Sequence, residues 1–263
     1  MIIITFMSIP NIIVVAGSSG AGKTTWVCQQ MQNIANVDKI IYYSPGTGTV
    51  PVDQTRIASE FPDLHVFSDI QQVEFLNQIP SSDAVYIEWG FYLELASVAQ
   101  LLDNFTYRTV AVLPSDLKDS EYYTWANEIV RGAPTQASNA ETLWRAASSG
   151  QVIDENSLEE FWYEITHGAY GIVTRAKGIF DVNDGRSLYC DFVADVPQTD
   201  FLELDLPRYL EGRPQRFSGL EVVGKNLDEA ALRQTLSDCC LSEAAILQYQ
   251  QQVKEILLEG EPV

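Results

Sequence analysis

The sequence predicts an α/β domain built on a parallel sheet with helices on both faces, followed by a small α+β domain. Three observations predict it. Apolar, β-branched segments alternate with helical patterns through the first half of the chain, which is typical of a parallel sheet. A glycine-rich segment joins the first strand to the first helix. From Ser157 a helix is followed by successive strands and then by closing helices. We place the domains at residues 1–150 and 151–263.

The glycine-rich segment predicts a phosphate-binding loop. A strand at Ile12–Val15 precedes it, and a helix at 24–34 follows it. Glycines let backbone N–H groups approach phosphate oxygens, the helix N-terminus adds partial positive charge, and the lysine of such a loop contacts the terminal phosphates while its threonine ligates Mg²⁺. The segment fits the pattern G-x-x-x-x-G-K-[ST] at every fixed position: Gly17, Ser18, Ser19, Gly20, Ala21, Gly22, Lys23 and Thr24.

The other elements of the first half place polar side chains at one edge of the predicted sheet. Further strands are predicted at 39–43, 84–87 and 108–113, and helices at 69–78, 91–102 and 121–130. Ligands of open parallel sheets bind at the carboxyl ends of the strands. Glu88 directly follows the strand at 84–87, so we expect it to bond a metal-bound water or to orient the attacking water.

The second half begins with a connecting segment at 132–150, in which we predict a helix around 139–147. A helix at 158–166 precedes strand-like segments at 171–181, 187–196, 200–205 and 217–224. Asp184-Gly185 predicts a hairpin turn between the first two. Asp228 is expected to cap the next helix, and the last helix is expected at 242–258.

Composition excludes several classes of partner. The net charge of −20 argues against nucleic acid and against an anionic membrane surface. The four cysteines form no C-x-x-C pair and no secretory signal is visible, so we expect a reduced, cytoplasmic chain. The apolar segment 1–6 is too short to span a bilayer. Met7 is a second candidate start, which leaves open whether residues 1–6 belong to the mature protein.

Several motifs together resemble the CobW-type GTPases, relatives of the HypB and UreG metallocentre-assembly proteins. The resemblance implies a Mg²⁺-dependent switch or metallochaperone-like protein that binds GTP or ATP, hydrolyses it slowly and serves an unknown protein client in metal or cofactor homeostasis. It also implies that Thr25 belongs to the nucleotide site and Asp53 to the metal site. The motifs are Gly17–Thr25, Tyr42–Asp53, Ile87-Glu88-Trp89-Gly90, Arg175-Ala176-Lys177-Gly178 and Val222–Asp228.

Two departures from the family pattern affect what the resemblance implies. Members that transfer metal carry a C-x-C-C motif between the switch segment and the glutamate strand, but residues 54–80 contain no cysteine. The guanine-reading Asn-Lys-x-Asp is replaced by Leu113-Pro114-Ser115-Asp116. Asp116 remains a candidate contact to the base, while the choice between GTP and ATP stays open.

Two other functions remain possible from the sequence. A P-loop kinase for a small molecule fits the loop, although it requires a basic lid for which the middle of the chain offers few residues. A binding module that does not hydrolyse its nucleotide fits the weakened base-reading segment. The client and the oligomeric state are not indicated by any motif.

Overall fold

The structure is a computed structural model that describes residues 10–34, 39–117, 120–135, 141–197 and 200–259. Its contacts divide the chain into two compact units, Met1–Thr135 and Gln136–Val263. This division precedes the predicted boundary at residue 150, because a strand of the second unit already covers Thr142–Ala147. The helix predicted at 139–147 is therefore wrong over its described residues. Residues 1–6 lie outside the described part of the chain.

The described residues of the first unit form a parallel sheet of six strands. Its order is β3-β2-β4-β1-β5-β6, and every adjacent pair is parallel. The carboxyl ends of these strands therefore lie at one edge of the sheet. In chain order the strands are β1 (Asn11–Gly17), β2 (Ile40–Tyr43), β3 (His65–Phe67), β4 (Ala84–Glu88), β5 (Tyr107–Leu113) and β6 (Glu128–Arg131).

Helices cover both faces of this sheet, as predicted. They are α1 (Lys23–Gln32), α2 (Val52–Glu60), α3 (Gln72–Gln78), α4 (Ser97–Leu101) and α5 (Tyr122–Trp125). Side chains of β1 alternate between two cores: Ile13 and Val15 share one with residues of α1 and α2, whereas Ile12 and Val14 share the other with residues of α3 and α4. A strand buried on both faces is apolar at consecutive positions, which explains the continuous run at Ile12–Val15.

Two predicted helices of the first unit are shorter than the sequence indicated. The helix predicted at 91–102 is reduced to α4, because the chain first turns at Gly90, whose carbonyl accepts from the Leu93 N–H at 3.0 Å. The helix predicted at 121–130 ends at Trp125 and gives way to β6. The Asn127 side chain accepts from the Thr109 N–H at 2.8 Å, which aligns the following residues with β5.

The described residues of the second unit form an antiparallel sheet of five strands in the order β10-β9-β8-β11-β7. Helices α6 and α7 contribute Trp162 and Leu232 to one core with Ala176 and Val222 of the sheet. The strands are β7 (Thr142–Ala147), β8 (Ile172–Asp181), β9 (Ser187–Val193), β10 (Leu202–Glu203) and β11 (Gly219–Lys225). The helices are α6 (Glu155–Thr166), α7 (Glu229–Asp238) and α8 (Glu243–Glu259).

Local signals in the second unit predicted its turns and caps. The β8–β9 hairpin turns at Asp184-Gly185, where Gly185 adopts φ +87°. Asp228 caps α7 by accepting from the Ala231 N–H at 3.0 Å. Among the described residues, no helix has both the length and the apolar character needed to cross a membrane.

Asp181 at the end of β8 is a buried carboxyl group of the second unit. Its residue is 2% exposed, and Arg216 Nε donates to Oδ1 at 2.5 Å. Among the described residues, no group pairs with Oδ2. Burial raises the pKa of Asp181 to about 6, against the opposing effect of Arg216. The folded protein therefore holds a proton at Asp181 at pH values where the unfolded chain has lost it.

We expect Asp181 to lower the free energy of unfolding as pH rises from 4 to 6. The folded state binds more protons than the unfolded state over this interval. The whole shift of about two pKa units corresponds to about 3 kcal/mol, of which the part lost between pH 4 and pH 6 is about 2 kcal/mol. Urea unfolding of wild type and Asp181→Asn at several pH values measures this. The wild-type stability should fall relative to the variant by about that amount. Parallel profiles for the two proteins would contradict the assignment.

Candidate functional site

The loop between β1 and α1 has a backbone that requires glycine. Gly17, Gly20 and Gly22 adopt φ values of +147°, +73° and +97°. A Cβ on Gly17 would lie 2.1 Å from the carbonyl oxygen of Val112 in the adjacent strand β5. The glycine is therefore required both by its conformation and by the close approach of two backbones.

Lys23, the first residue of α1, folds back over this loop. It is 8% exposed, and its ammonium group donates to the carbonyl oxygens of Gly17 at 3.1 Å and Ser18 at 2.9 Å. The Ser18 hydroxyl is buried, and no group among the described residues pairs with it. A phosphate group offers an acceptor for this hydroxyl and an ionised acceptor for the ammonium group, so the loop fits the predicted ligand.

Thr24 joins the loop to the end of β4. Its hydroxyl donates to Oε1 of Glu88 at 2.9 Å. Glu88 is 4% exposed, and its Oε2 accepts from the hydroxyl of Tyr42 on β2 at 3.0 Å. The two predicted metal-site residues Thr24 and Glu88 are therefore in direct contact. Since the hydroxyl proton of Thr24 points at Glu88, the lone pairs of its oxygen are available to a cation.

Asp53, in the first turn of α2, lies in the same electrostatic environment. It is 7% exposed, and its carboxylate and that of Glu88 both raise the pKa of Tyr42, after the larger effect of burial. The pKa of Tyr42 lies well above its ordinary value, so its hydroxyl is a neutral donor. Hydrogen bonds therefore join Thr24, Glu88 and Tyr42, and the carboxylate of Asp53 acts on Tyr42 electrostatically.

Side-chain hydrogen bonds connect the segment between β2 and α2 to two other parts of the first unit. Ser44 Oγ donates to the backbone carbonyl of Glu88 at 3.2 Å, and Gln54 Nε2 donates to the carbonyl of Ser44 at 2.8 Å. The carboxylate of Asp69 accepts from the N–H groups of Gly46 and Gly48 at 2.7 and 2.6 Å. The residues that resemble a switch segment are thus bonded both to the site glutamate and to the segment that precedes α3.

Asp116 lies in an exposed turn after β5, where the Leu117 N–H donates to the Pro114 carbonyl at 3.2 Å. It shares the carboxyl edge of the sheet with the glycine loop. The chain after β6 also reaches this loop, since the Ala133 N–H donates to the Ala21 carbonyl at 3.0 Å. The predicted site residues not yet placed lie in or next to the loop: Ser19 and Gly20 are half-buried, Ala21 is buried and Thr25 is exposed.

The carboxylate of Glu88 and the hydroxyl of Thr24 are oxygen ligands of the kind that hard cations such as Mg²⁺ prefer. The cysteines, in contrast, are poor candidates for binding a soft cation, because their thiols resist ionisation. Cys28 of α1 is buried, and burial raises its pKa to about 12. Burial likewise raises the pKa of Cys239 to about 11. Within the described residues, no three His, Cys, Asp or Glu side chains form a group that can hold a metal. A cation at Thr24 therefore depends on oxygens of the ligand as well as on the protein.

Comparison with known protein families finds a match, which lies in the second half of the chain. Residues 146–240 match the family described as the cobalamin synthesis protein CobW C-terminal domain. The second unit is therefore similar to the CobW C-terminal domain over these residues. The match begins within β7 and ends just after α7, so it spans the antiparallel sheet and the helices that pack on it. This CobW match confirms the resemblance that the sequence motifs predicted.

Two solved structures also show similarity to the chain. The Zn(II)-bound YjiA GTPase from E. coli matches at 14% identity and a TM-score of 0.32, with 89% of this chain and 99% of that chain covered. A Zn(II)-bound triple mutant of YjiA GTPase matches at 13% identity and a TM-score of 0.32, with 88% and 99% covered. No curated protein matches the chain. The family match covers only the second unit. The assignment of a nucleotide site to the first unit therefore depends on the geometry of its own residues.

Sequence reasoning did not identify Tyr42, Gln54 or Asp69 as site residues. Tyr42 lies in a strand that was correctly predicted, but its contact with Glu88 depends on β2 pairing with β4. Asp69 follows β3 at the same edge of the sheet. The sequence did contain a signal for Asp69, because ligands of parallel sheets bind at the carboxyl ends of the strands and polar residues that follow any strand are therefore candidates.

We expect Lys23→Ala to weaken binding of GTP and of ATP by about a hundredfold or more while the fold is retained. Charge-assisted hydrogen bonds contribute roughly 1.5–3 kcal/mol each, and a tenfold change in affinity corresponds to about 1.4 kcal/mol. Calorimetric titration checks this. Lys39→Ala is the matched control, because Lys39 is an exposed lysine paired with Asp83 at 3.6 Å. Wild-type affinity in Lys23→Ala would refute the phosphate-loop assignment.

Proposed function

We propose that this chain binds a nucleoside triphosphate with Mg²⁺, hydrolyses it slowly and acts as a nucleotide-dependent switch for a protein client. The observation that carries the proposal is the hydrogen bond between Thr24 and Glu88 at the end of the glycine loop. It joins a candidate phosphate site to a buried carboxylate at the carboxyl edge of the sheet. The CobW C-terminal domain supports the client-directed part of the proposal.

Three parts of the loop support phosphate binding. Lys23 supplies positive charge, the Ser18 hydroxyl supplies a donor, and the N-terminus of α1 supplies backbone N–H groups. The Lys23 contacts with two carbonyl oxygens are exchangeable for stronger contacts with phosphate, because an ionised acceptor binds an ammonium group more strongly than a neutral one.

Thr24 is the residue that would hold Mg²⁺ directly, with Glu88 and Asp53 beside it. A bound Mg²⁺ supplies charge neutralisation on the phosphate oxygens. The chain itself holds Glu88 at both carboxylate oxygens, excludes most solvent from it, and so can orient a water molecule next to the terminal phosphate. Phosphoryl transfer depends chiefly on such positioning.

We further propose that the client belongs to metal or cofactor homeostasis, and that the chain switches this partner without carrying the metal on its own thiolates. The related YjiA GTPase structures are Zn(II)-bound. Here the segment 54–80 contains no cysteine, and the elevated thiol pKa values of Cys28 and Cys239 oppose thiolate formation at neutral pH.

The role of Glu88 is tested by Glu88→Gln. We expect nucleotide affinity in EDTA to be retained and the single-turnover hydrolysis rate to fall by about a hundredfold or more, since positioned acid–base groups typically contribute 10²–10⁴. Glu60→Gln is the matched control, because Glu60 is an exposed glutamate of α2 that accepts from Gln32 at 2.9 Å. A wild-type protein that never hydrolyses nucleotide, or an unaffected Glu88→Gln variant, would contradict the proposal.

The base selectivity of the site is expected to be weak. Leu113 and Pro114 stand where relatives carry the base-reading asparagine and lysine, and each unmade buried hydrogen bond removes about 1–3 kcal/mol. The preference for GTP over ATP should therefore stay well below about a thousandfold, or about 4 kcal/mol. Titration of both nucleotides under the same conditions measures the ratio. A preference at or above that level would show that other residues recognise guanine.

A further inference from the structure

Tyr42 is a fully buried tyrosine whose hydroxyl lies beside the candidate cation site. The residue has 0% exposure and packs in the same core as Ile13, Val15 and the buried residues of α1. Its ring therefore lies on the face of the sheet that α1 covers. At its end, the hydroxyl meets Oε2 of Glu88 at 3.0 Å. This contact links β2 to the end of β4 across adjacent strands.

The two hydroxyl groups that hold Glu88 have different environments. Thr24 is the second residue of α1 and directly follows the glycine loop, so its hydroxyl lies next to the candidate ligand site. Tyr42 is anchored by the sheet, since its neighbours in register are Val66 on β3 and Tyr86 on β4. A carboxylate held at one oxygen alone can rotate about its side-chain bonds. The bond from Tyr42 to the second oxygen restricts that rotation and is independent of the loop.

The surroundings of the hydroxyl are acidic. The carboxylates of Glu88 and Asp53 and the hydroxyl of Ser44 all act on Tyr42. A buried carboxylate such as Glu88 needs hydrogen-bond donors, and the Tyr42 hydroxyl supplies one of them. A tyrosine hydroxyl is protonated at neutral pH, so Tyr42 can donate to Glu88 there. A phenylalanine here would keep the ring packing and remove only the donor.

We infer that Tyr42 is a positioning residue for the divalent cation of the nucleotide site, acting by fixing the carboxylate of Glu88 next to Thr24. The inference rests on the proposed function and deepens it. Groups that orient metal-site carboxylates influence metal affinity, and their loss typically weakens it tenfold or more. We expect Lys23 and Ser18 to contact the phosphates, and these residues are bonded to the loop rather than through Glu88, so removal of the Tyr42 hydroxyl should leave phosphate binding unchanged.

The test is a cation titration of Tyr42→Phe in its nucleotide complexes. Mn²⁺ serves as the probe because its free and bound forms are distinguished by electron paramagnetic resonance, and the titration is run with GDP and with ADP. Nucleotide affinity is measured separately in EDTA. Tyr86→Phe is the matched control: it removes a tyrosine hydroxyl from the adjacent register position of β4, where the residue is 3% exposed.

We expect Tyr42→Phe to weaken Mn²⁺ binding by about tenfold, with nucleotide affinity in EDTA unchanged and Tyr86→Phe like wild type in both measurements. Equal Mn²⁺ affinity in Tyr42→Phe and wild type would overturn the role of Tyr42 and leave the proposed function standing. Loss of nucleotide binding in Tyr42→Phe alone would show that the hydroxyl serves the fold, which also overturns the inference. A wild-type protein that binds neither nucleotide would overturn the proposed function and this inference with it.

Discussion

The hydrogen bond from Thr24 to Glu88 links the two sequence signals on which the candidate site depends. Thr24 follows the glycine loop of β1, and Glu88 ends β4, the strand that pairs with β1. The contact is possible because parallel pairing brings both strand ends to one edge, where the Trp89 N–H donates to the Val15 carbonyl at 2.8 Å. An antiparallel pair would place the two residues at opposite ends of the sheet.

Close packing at the same edge of the sheet explains why glycine is required at particular positions in and near the loop. Gly17 lies against the backbone of β5, Gly132 lies against the carbonyl of Ala21, and neither position leaves room for a Cβ. The chain at β5 and after β6 thus packs closely against the loop, and the Lys23 side chain folds over it. The hydrogen bonds of Lys23 thus hold a positive charge against a backbone whose glycines leave room for a ligand, and a phosphate-binding site needs both features.

The features predicted correctly from the sequence depend on short-range interactions. The glycine loop, the Asp228 cap and the turn at Asp184-Gly185 each involve residues only a few positions apart. The errors arise where distant pairing decides the structure. Thr142–Ala147 has a composition compatible with a helix, but pairing with β11 makes it a strand, with alternate side chains in the core. Helix α2 and the short strand β3 were not predicted from their own patterns.

The site shows the same division. Lys23, Thr24 and Glu88 were proposed from a motif and a strand end, whereas Tyr42 became a candidate only when the register of β2 and β4 placed its hydroxyl at Glu88. The most direct measurement is a crystal structure of the protein with Mg²⁺ and a non-hydrolysable GTP analogue. The account predicts that the Lys23 ammonium group leaves the carbonyl oxygens of Gly17 and Ser18 for the terminal phosphates, with Glu88 still bonded to Thr24. A nucleotide bound elsewhere, with the Lys23 contacts intact, would contradict it.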